Sequence, residues 1–161
     1  MTIVTNEGSI VIKTDRAATP CTVASFAYLG AAKFFNNSPC HRLTAGGIFV
    51  LQCGDPTGSG SGGPSYTIPD EALPVGGDGA AVNYARGTVA MANTGQPNTG
   101  GSQFFLVYKD SPLAPTYTKF GTITKGLNVL DKIAAAGTVD GSPDGAPKLP
   151  VKILSLTVKA S

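Results

Sequence analysis

The chain's only histidine, His41, directly follows Cys40, the first pairing in the sequence that could do covalent chemistry. A thiolate needs an adjacent base, and the base needs an orienting acceptor. The segment reads as a strand, on which neighbours face opposite sides, and no orienting Asn or Asp is identifiable. His41 is therefore read as a hydrogen-bonded structural residue. No Gly-x-Ser-x-Gly turn offers a serine hydrolase instead. Gly58-Ser59-Gly60-Ser61-Gly62-Gly63 has the spacing of a dinucleotide loop. Such a loop must open a helix whose N-terminus receives a pyrophosphate. Pro64, Tyr66 and Pro69 follow it here, so a flexible surface loop is predicted. Asp70-Glu71 is the one adjacent acidic pair, and it lies in loop sequence with nothing to make it a glycosidase pair. Cys21, Cys40 and Cys53 form no C-x-x-C, and one histidine supplies no zinc set. Two readings stay open for them: three buried thiols, or a Cys21–Cys40 disulfide.

The elements that must position any site are short. Of 161 residues, 42% are hydrophobic and only 14% charged, with 21 Gly and 12 Pro, which predicts one compact, turn-rich domain. Twelve Lys+Arg against ten Asp+Glu leave +2, with the basic residues scattered, which argues against nucleic acid as a partner. The longest uncharged stretch, Gly87–Tyr108, carries Asn93, Gln96, Pro97, Asn98 and Gln103, so no membrane segment is expected. The opening MTIVTNEGSIVIK reads as a strand pair rather than a signal peptide. A cytoplasmic location is expected, with a soluble domain of an exported or membrane-anchored protein as the alternative. Strands are predicted at Ile3–Thr5, Ile10–Lys13, Phe49–Cys53, Thr88–Ala92, Phe104–Tyr108, Phe120–Ile123 and Lys152–Val158, a mainly β pattern. A helix is predicted over Thr19–Gly30, with Thr at the N-cap, Pro at N1 and Gly past the end. A second is predicted over Leu127–Ala136, stopped by Gly137. Two helices could plug the ends of a barrel. Gly54–Gly79 is predicted as a long loop, and such loops are often functional.

Two ordered segments carry a resemblance. Cys40-His41-Arg42-Leu43 is followed by Gly47-Ile48-Phe49-Val50-Leu51-Gln52-Cys53-Gly54-Asp55, and Met91-Ala92-Asn93 by Gly100-Gly101-Ser102-Gln103-Phe104-Phe105. Together they resemble the cyclophilin family of peptidyl-prolyl cis-trans isomerases, in its bacterial branch, over nearly the whole chain. The resemblance implies a closed eight-stranded antiparallel β-barrel capped by two α-helices, acting as a monomer without cofactor on proline-containing peptides and flexible protein segments. It implies Arg42 as the catalytic residue. It implies Phe49, Val50, Gln52, Ala92, Asn93, Gln103, Phe105, Leu113 and Tyr117 as substrate-binding residues. Val50 stands where the family usually has methionine, and Tyr117 where it has a site histidine. Pro112 replaces a tryptophan associated with tight cyclosporin binding, so weak binding of cyclosporin-type inhibitors is expected. Between Arg42 and Phe49 the chain is two residues longer than the common pattern, and one residue longer around Gln96.

These residue types suit rotation about an X–Pro amide. The barrier, about 18–20 kcal/mol, comes from C–N double-bond character. No bond is made or broken, so the reaction needs no nucleophile or general base. A group that favours the twisted amide over both planar isomers accelerates it. The twisted proline nitrogen regains a lone pair, and a permanently charged guanidinium can donate to it.

Overall fold

The computed structural model describes residues 1–76 and 79–159; Gly77 and Asp78, near the end of the predicted Gly54–Gly79 loop, lie outside the described residues. The elements run β1 (Thr2–Thr5), β2 (Gly8–Thr14), α1 (Pro20–Ala31), β3 (Ser38–Pro39), β4 (Arg42–Thr44), β5 (Val50–Cys53) and β6 (Val82–Tyr84). They continue with β7 (Thr88–Met91), β8 (Phe104–Val107), β9 (Ser111–Leu113), β10 (Lys119–Lys125), α2 (Leu127–Ala136), β11 (Asp144–Gly145) and β12 (Lys152–Thr157). All pairings are antiparallel. Ten strands form one sheet in the order β11-β4-β5-β8-β7-β10-β2-β1-β12-β3, and β6-β9 form a separate ribbon.

The sheet closes through a short piece of chain. Ser38 and Pro39 pair with β12, and Arg42 and Leu43 pair with β5. Only Cys40 and His41 separate the two pairings, so residues 38–44 join both flanks of the sheet into a barrel. Without the two-residue β3 and β11, eight strands remain, as the resemblance implies.

Cys40 is disulfide-bonded to Cys53 across this seam, while Cys21 is free and exposed on the first turn of α1. Both sequence readings of the cysteines are corrected. The cause is register: Arg42 opposes Gln52, so one further step sets Cys53 opposite His41 and beside Cys40, with Cα atoms 4.0 Å apart.

Inside the barrel, Phe26 of α1 meets Phe35, Phe104 and Phe120 at ring distances of 5.4, 5.4 and 4.7 Å, in a core where all four are buried. The helix does not stop at Gly30 as predicted. A Cβ there would lie 2.8 Å from the Leu156 carbonyl oxygen, so this glycine serves the close approach of α1 to β12 rather than a helix end. The second helix has its predicted bounds and buries Val129, Leu130 and Ile133.

Thr19 is at the N-cap, but its hydroxyl donates to the Asp15 carbonyl at 2.6 Å. Glu71 caps α1 from outside instead, accepting from the amides of Cys21 and Thr22 at 2.9 and 2.8 Å and from the Thr22 hydroxyl at 2.7 Å. Burial pushes the Glu71 carboxyl up, but these bonds outweigh it and hold it below its ordinary range. The cap therefore contributes above the ordinary glutamate pKa and is lost as pH falls through the depressed one. Glu71→Gln is expected to cost about 1 kcal/mol at neutral pH. The gap from wild type should vanish in strong acid; thermal unfolding at the two pH values checks this, and a gap that persists in acid counts against the charged cap.

Candidate active site

Register places the polar core of the site. Arg42 of β4 lies opposite Gln52 of β5, and Gln52 lies opposite Phe105 of β8. Directly opposed residues share a face, so a guanidinium, an amide and an aromatic ring form one row across three strands. Val50, two residues before Gln52, lies on the same face. From the ribbon, Leu113 of β9 joins them, with Tyr117 beyond it.

Together Arg42, Ile48, Val50, Gln52, Ala92, Asn93, Phe105, Leu113 and Tyr117 surround a hollow of about 120 Å³. An engineered apolar cavity of about 150 Å³ admits one benzene, so the hollow suits a single small ring. A wider depression of about 540 Å³ over β2 and β10 is lined by Lys13, Lys119 and three threonines, without a large apolar side chain. The ring-sized hollow is the better candidate.

Eight of the ten sequence-predicted residues line that hollow. Gln103 is one step away, its Oε1 accepting from Gln52 Nε2 at 2.8 Å. Phe49 is not brought in. Strand alternation turns it to the opposite face, where its ring meets Tyr108 edge-on at 5.9 Å and Lys109 Nζ at 4.4 Å. Ile48 lines the hollow instead. It belongs to the two-residue expansion, which folds back through a Gly46↔Ile48 bridge and docks on the β11 loop through Ala45 N–H to the Pro143 carbonyl at 2.7 Å.

The row extends into a chain of hydrogen bonds. Asp144 accepts from Arg42 Nε at 2.7 Å and Nη2 at 2.6 Å, and Gln52 Oε1 accepts from Nη1 at 3.2 Å. The Asp144 bonds raise the guanidinium pKa further, so it stays charged at any working pH. Gln103 Nε2 in turn donates to the Gly60 and Gly62 carbonyls at 2.9 and 3.0 Å.

That glycine-rich loop, predicted as flexible, is held by a fully buried carboxylate. Asp55 accepts from the amides of Thr57, Gly60 and Gly62 at 2.7, 2.7 and 3.0 Å and from the hydroxyls of Thr57 and Ser59. Burial pushes this carboxyl up, but the converging donors hold it far below the ordinary range. At Gly62 a Cβ would sit 2.0 Å from Asp55 Oδ1, so only glycine fits the cage.

The opposite wall rests on Tyr84. Its buried hydroxyl lies 3.2 Å from the Ala114 carbonyl and 3.1 Å from that of Tyr117, and accepts from the Tyr117 amide at 3.2 Å. Burial pushes its pKa up to about 12. Asn93 Nδ2 donates to the Thr116 carbonyl at 2.9 Å, joining the Ala92-Asn93 edge to the same loop. Tyr117 meets Phe105 edge-on at 5.4 Å. His41 departs from expectation: its Nδ1 is buried with no hydrogen-bond partner among the described residues, and burial lowers its pKa, leaving a neutral ring. Cys40, bound in the disulfide, is no nucleophile.

A family model for cyclophilin type peptidyl-prolyl cis-trans isomerases matches residues 1–158. The chain belongs to the cyclophilin family. It is 52% identical over 160 residues to a probable peptidyl-prolyl cis-trans isomerase B of Mycobacterium leprae, covering 94% of this chain and 54% of that protein. Its counterpart in Mycobacterium tuberculosis is 48% identical over 97% of this chain and 53% of its own length. The chain thus spans about half the length of these relatives. Among solved structures, a Cryptosporidium parvum cyclophilin studied in the presence of the dipeptide Ala-Pro superposes with a TM-score of 0.81 at 28% identity, covering 99% of this chain and 98% of that one.

Of the expected departures, the expansion brings Ile48 to the hollow, Pro112 lies on β9, and Val50 and Tyr117 are wall residues. Sequence reasoning missed Ile48, Tyr84 and Asp144. Counting back by two from Gln52 and Val50 finds Ile48. Nothing in the sequence joins Asp144 to Arg42, because 102 residues separate them.

Proposed function

We propose that this domain is a peptidyl-prolyl cis-trans isomerase, with Arg42 stabilising the twisted amide and the adjoining hollow holding the proline ring. The observation that carries the reading is the charged guanidinium of Arg42 at a ring-sized hollow, with the apolar side chains of Ile48, Val50, Phe105, Leu113 and Tyr117 among its walls and Gln52 and Asn93 at its polar side. Apolar walls exclude water and strengthen the donor's effect on the developing lone pair. The backbone at Ala92-Asn93 pairs with the extended peptide on either side of the proline, and Gln52 and Gln103 supply further polar contacts. The residues around the proline are then held while the amide turns. Clients are exposed or unfolded X–Pro segments, so the domain assists folding, and it acts as a monomer. Isomer exchange at an Ala-Pro bond, followed by NMR, tests this; binding without faster exchange would leave a proline-recognition module.

Cyclosporin-type inhibitors are expected to bind weakly, because Pro112 offers β9 no indole face or N–H donor beside Leu113. A submicromolar inhibition constant would overturn that expectation. Among the described residues no helix is long and apolar enough to cross a membrane. A Cys40–Cys53 disulfide favours an oxidising compartment over the cytoplasm, and thus an exported or anchored protein.

A further inference from the structure

We propose that Asp144 is a positioning residue for the isomerase reaction: it clamps one edge of Arg42 so that the remaining donors are presented to the proline hollow. The inference rests on the isomerase reading above. An arginine side chain has four rotatable bonds before its planar group, and one left free spends little time in a single orientation. Here the Nε–Nη2 edge meets both oxygens of Asp144 in a bidentate pair, which fixes the plane as well as the position of the guanidinium. Gln52 Oε1 takes one donor of Nη1. Of the five N–H donors of the group, these bonds leave one on Nη1 and one on Nη2 for the substrate.

The clamp is itself held. Asp144 pairs with Thr44 on β4, two residues from Arg42. Its carbonyl accepts from the Ser142 hydroxyl at 2.8 Å, and the adjoining Pro143 carbonyl takes the Ala45 amide at 2.7 Å. The segment that carries Asp144 is thus tied to the expansion that brings Ile48 to the hollow, and one substructure sets both the donor and the wall.

Stability does not account for the pair. The two side chains are 42% and 50% exposed, and exposed ion pairs contribute little to stability. Nor does the carboxylate add to the positive charge; it offsets part of it. What the bidentate contact supplies is orientation, which matters most in the transition state, where small misplacements of a catalytic group are costly.

The test is NMR exchange kinetics on an Ala-Pro peptide with wild type, Asp144→Asn, Asp144→Glu, Arg42→Ala and the Arg42→Ala/Asp144→Asn double variant. Asp144→Asn is expected to lower kcat roughly ten- to hundredfold with KM and Tm nearly unchanged. Asp144→Glu should recover part of the rate, and the double variant should be no slower than Arg42→Ala alone. The Arg42 Nε–H resonance should shift and exchange faster with solvent in Asp144→Asn. An active wild type with an equally active Asp144→Asn overturns the assignment alone, as does an equal loss in the Arg42→Ala background. A wild type without catalysed exchange overturns the isomerase reading, and this assignment with it.

Discussion

Arg42→Ala is expected to slow catalysed exchange at an Ala-Pro bond by about 10²–10³-fold, the usual cost of removing one preorganised donor to a developing charge. Peptide binding should persist, because the apolar walls and the Ala92-Asn93 edge do not depend on the guanidinium. The loss should thus fall on kcat rather than KM, since the donor's partner, the proline lone pair, exists fully only in the twisted state. Arg42→Lys keeps a charge but cannot hold Asp144 bidentately or meet Gln52 from the same plane, and an intermediate rate is expected. Stability should change little, since the Arg42–Asp144 pair is about half exposed. An alanine variant as fast as wild type would remove Arg42 from the mechanism.

Removing the seam disulfide carries the largest expected effect on stability. Cys40 and Cys53 are 13 residues apart, and a loop of about that length is worth about 3 kcal/mol by chain entropy. For a domain of this size that lowers Tm by roughly 6–12 °C. Cys40→Ala/Cys53→Ala, or wild type in strong reductant, should show this in thermal unfolding. Below the transition, activity should persist, because the Arg42↔Gln52 pairing belongs to the β4–β5 ladder and not to the sulfur bridge. Unreduced wild type should titrate as a single thiol, the exposed Cys21, whose pKa the neighbouring Glu71 carboxylate pushes up. Three titratable thiols, with a Tm indifferent to reductant, would show that the seam is not cross-linked.

The parts legible in the sequence were those with local cause. Seven strands were marked by short apolar runs with turn residues at their ends and both helices by helical patterns with glycine and proline signals, and seven of the observed strands overlap those read. The five strands that were not read, β3, β4, β6, β9 and β11, are two or three residues long and owe their form to a partner rather than to their own pattern. Resemblance named eight of the nine residues that line the hollow, but strand alternation turns Phe49 to the opposite face and leaves Ile48 in its place. The cysteine pairing depended on a register that spacing alone does not determine. The order in the glycine-rich loop was hidden because Asp55, nominally a turn residue, folds that loop around its own carboxylate. Asp144 was invisible for the simplest reason: only tertiary closure brings it near Arg42.

That closure imposes an order on folding. Strand β12, the last in the chain, sits between β1, the first, and β3, which leads into the Arg42 segment. Until Lys152–Thr157 docks, β1 and β3 each lack a strand partner, one beside Ile3 and one beside Ser38. Such edges can pair with other chains. The barrel therefore seals only when Lys152–Thr157 docks between segments far from it in the chain, a non-local pairing of the kind that slows folding.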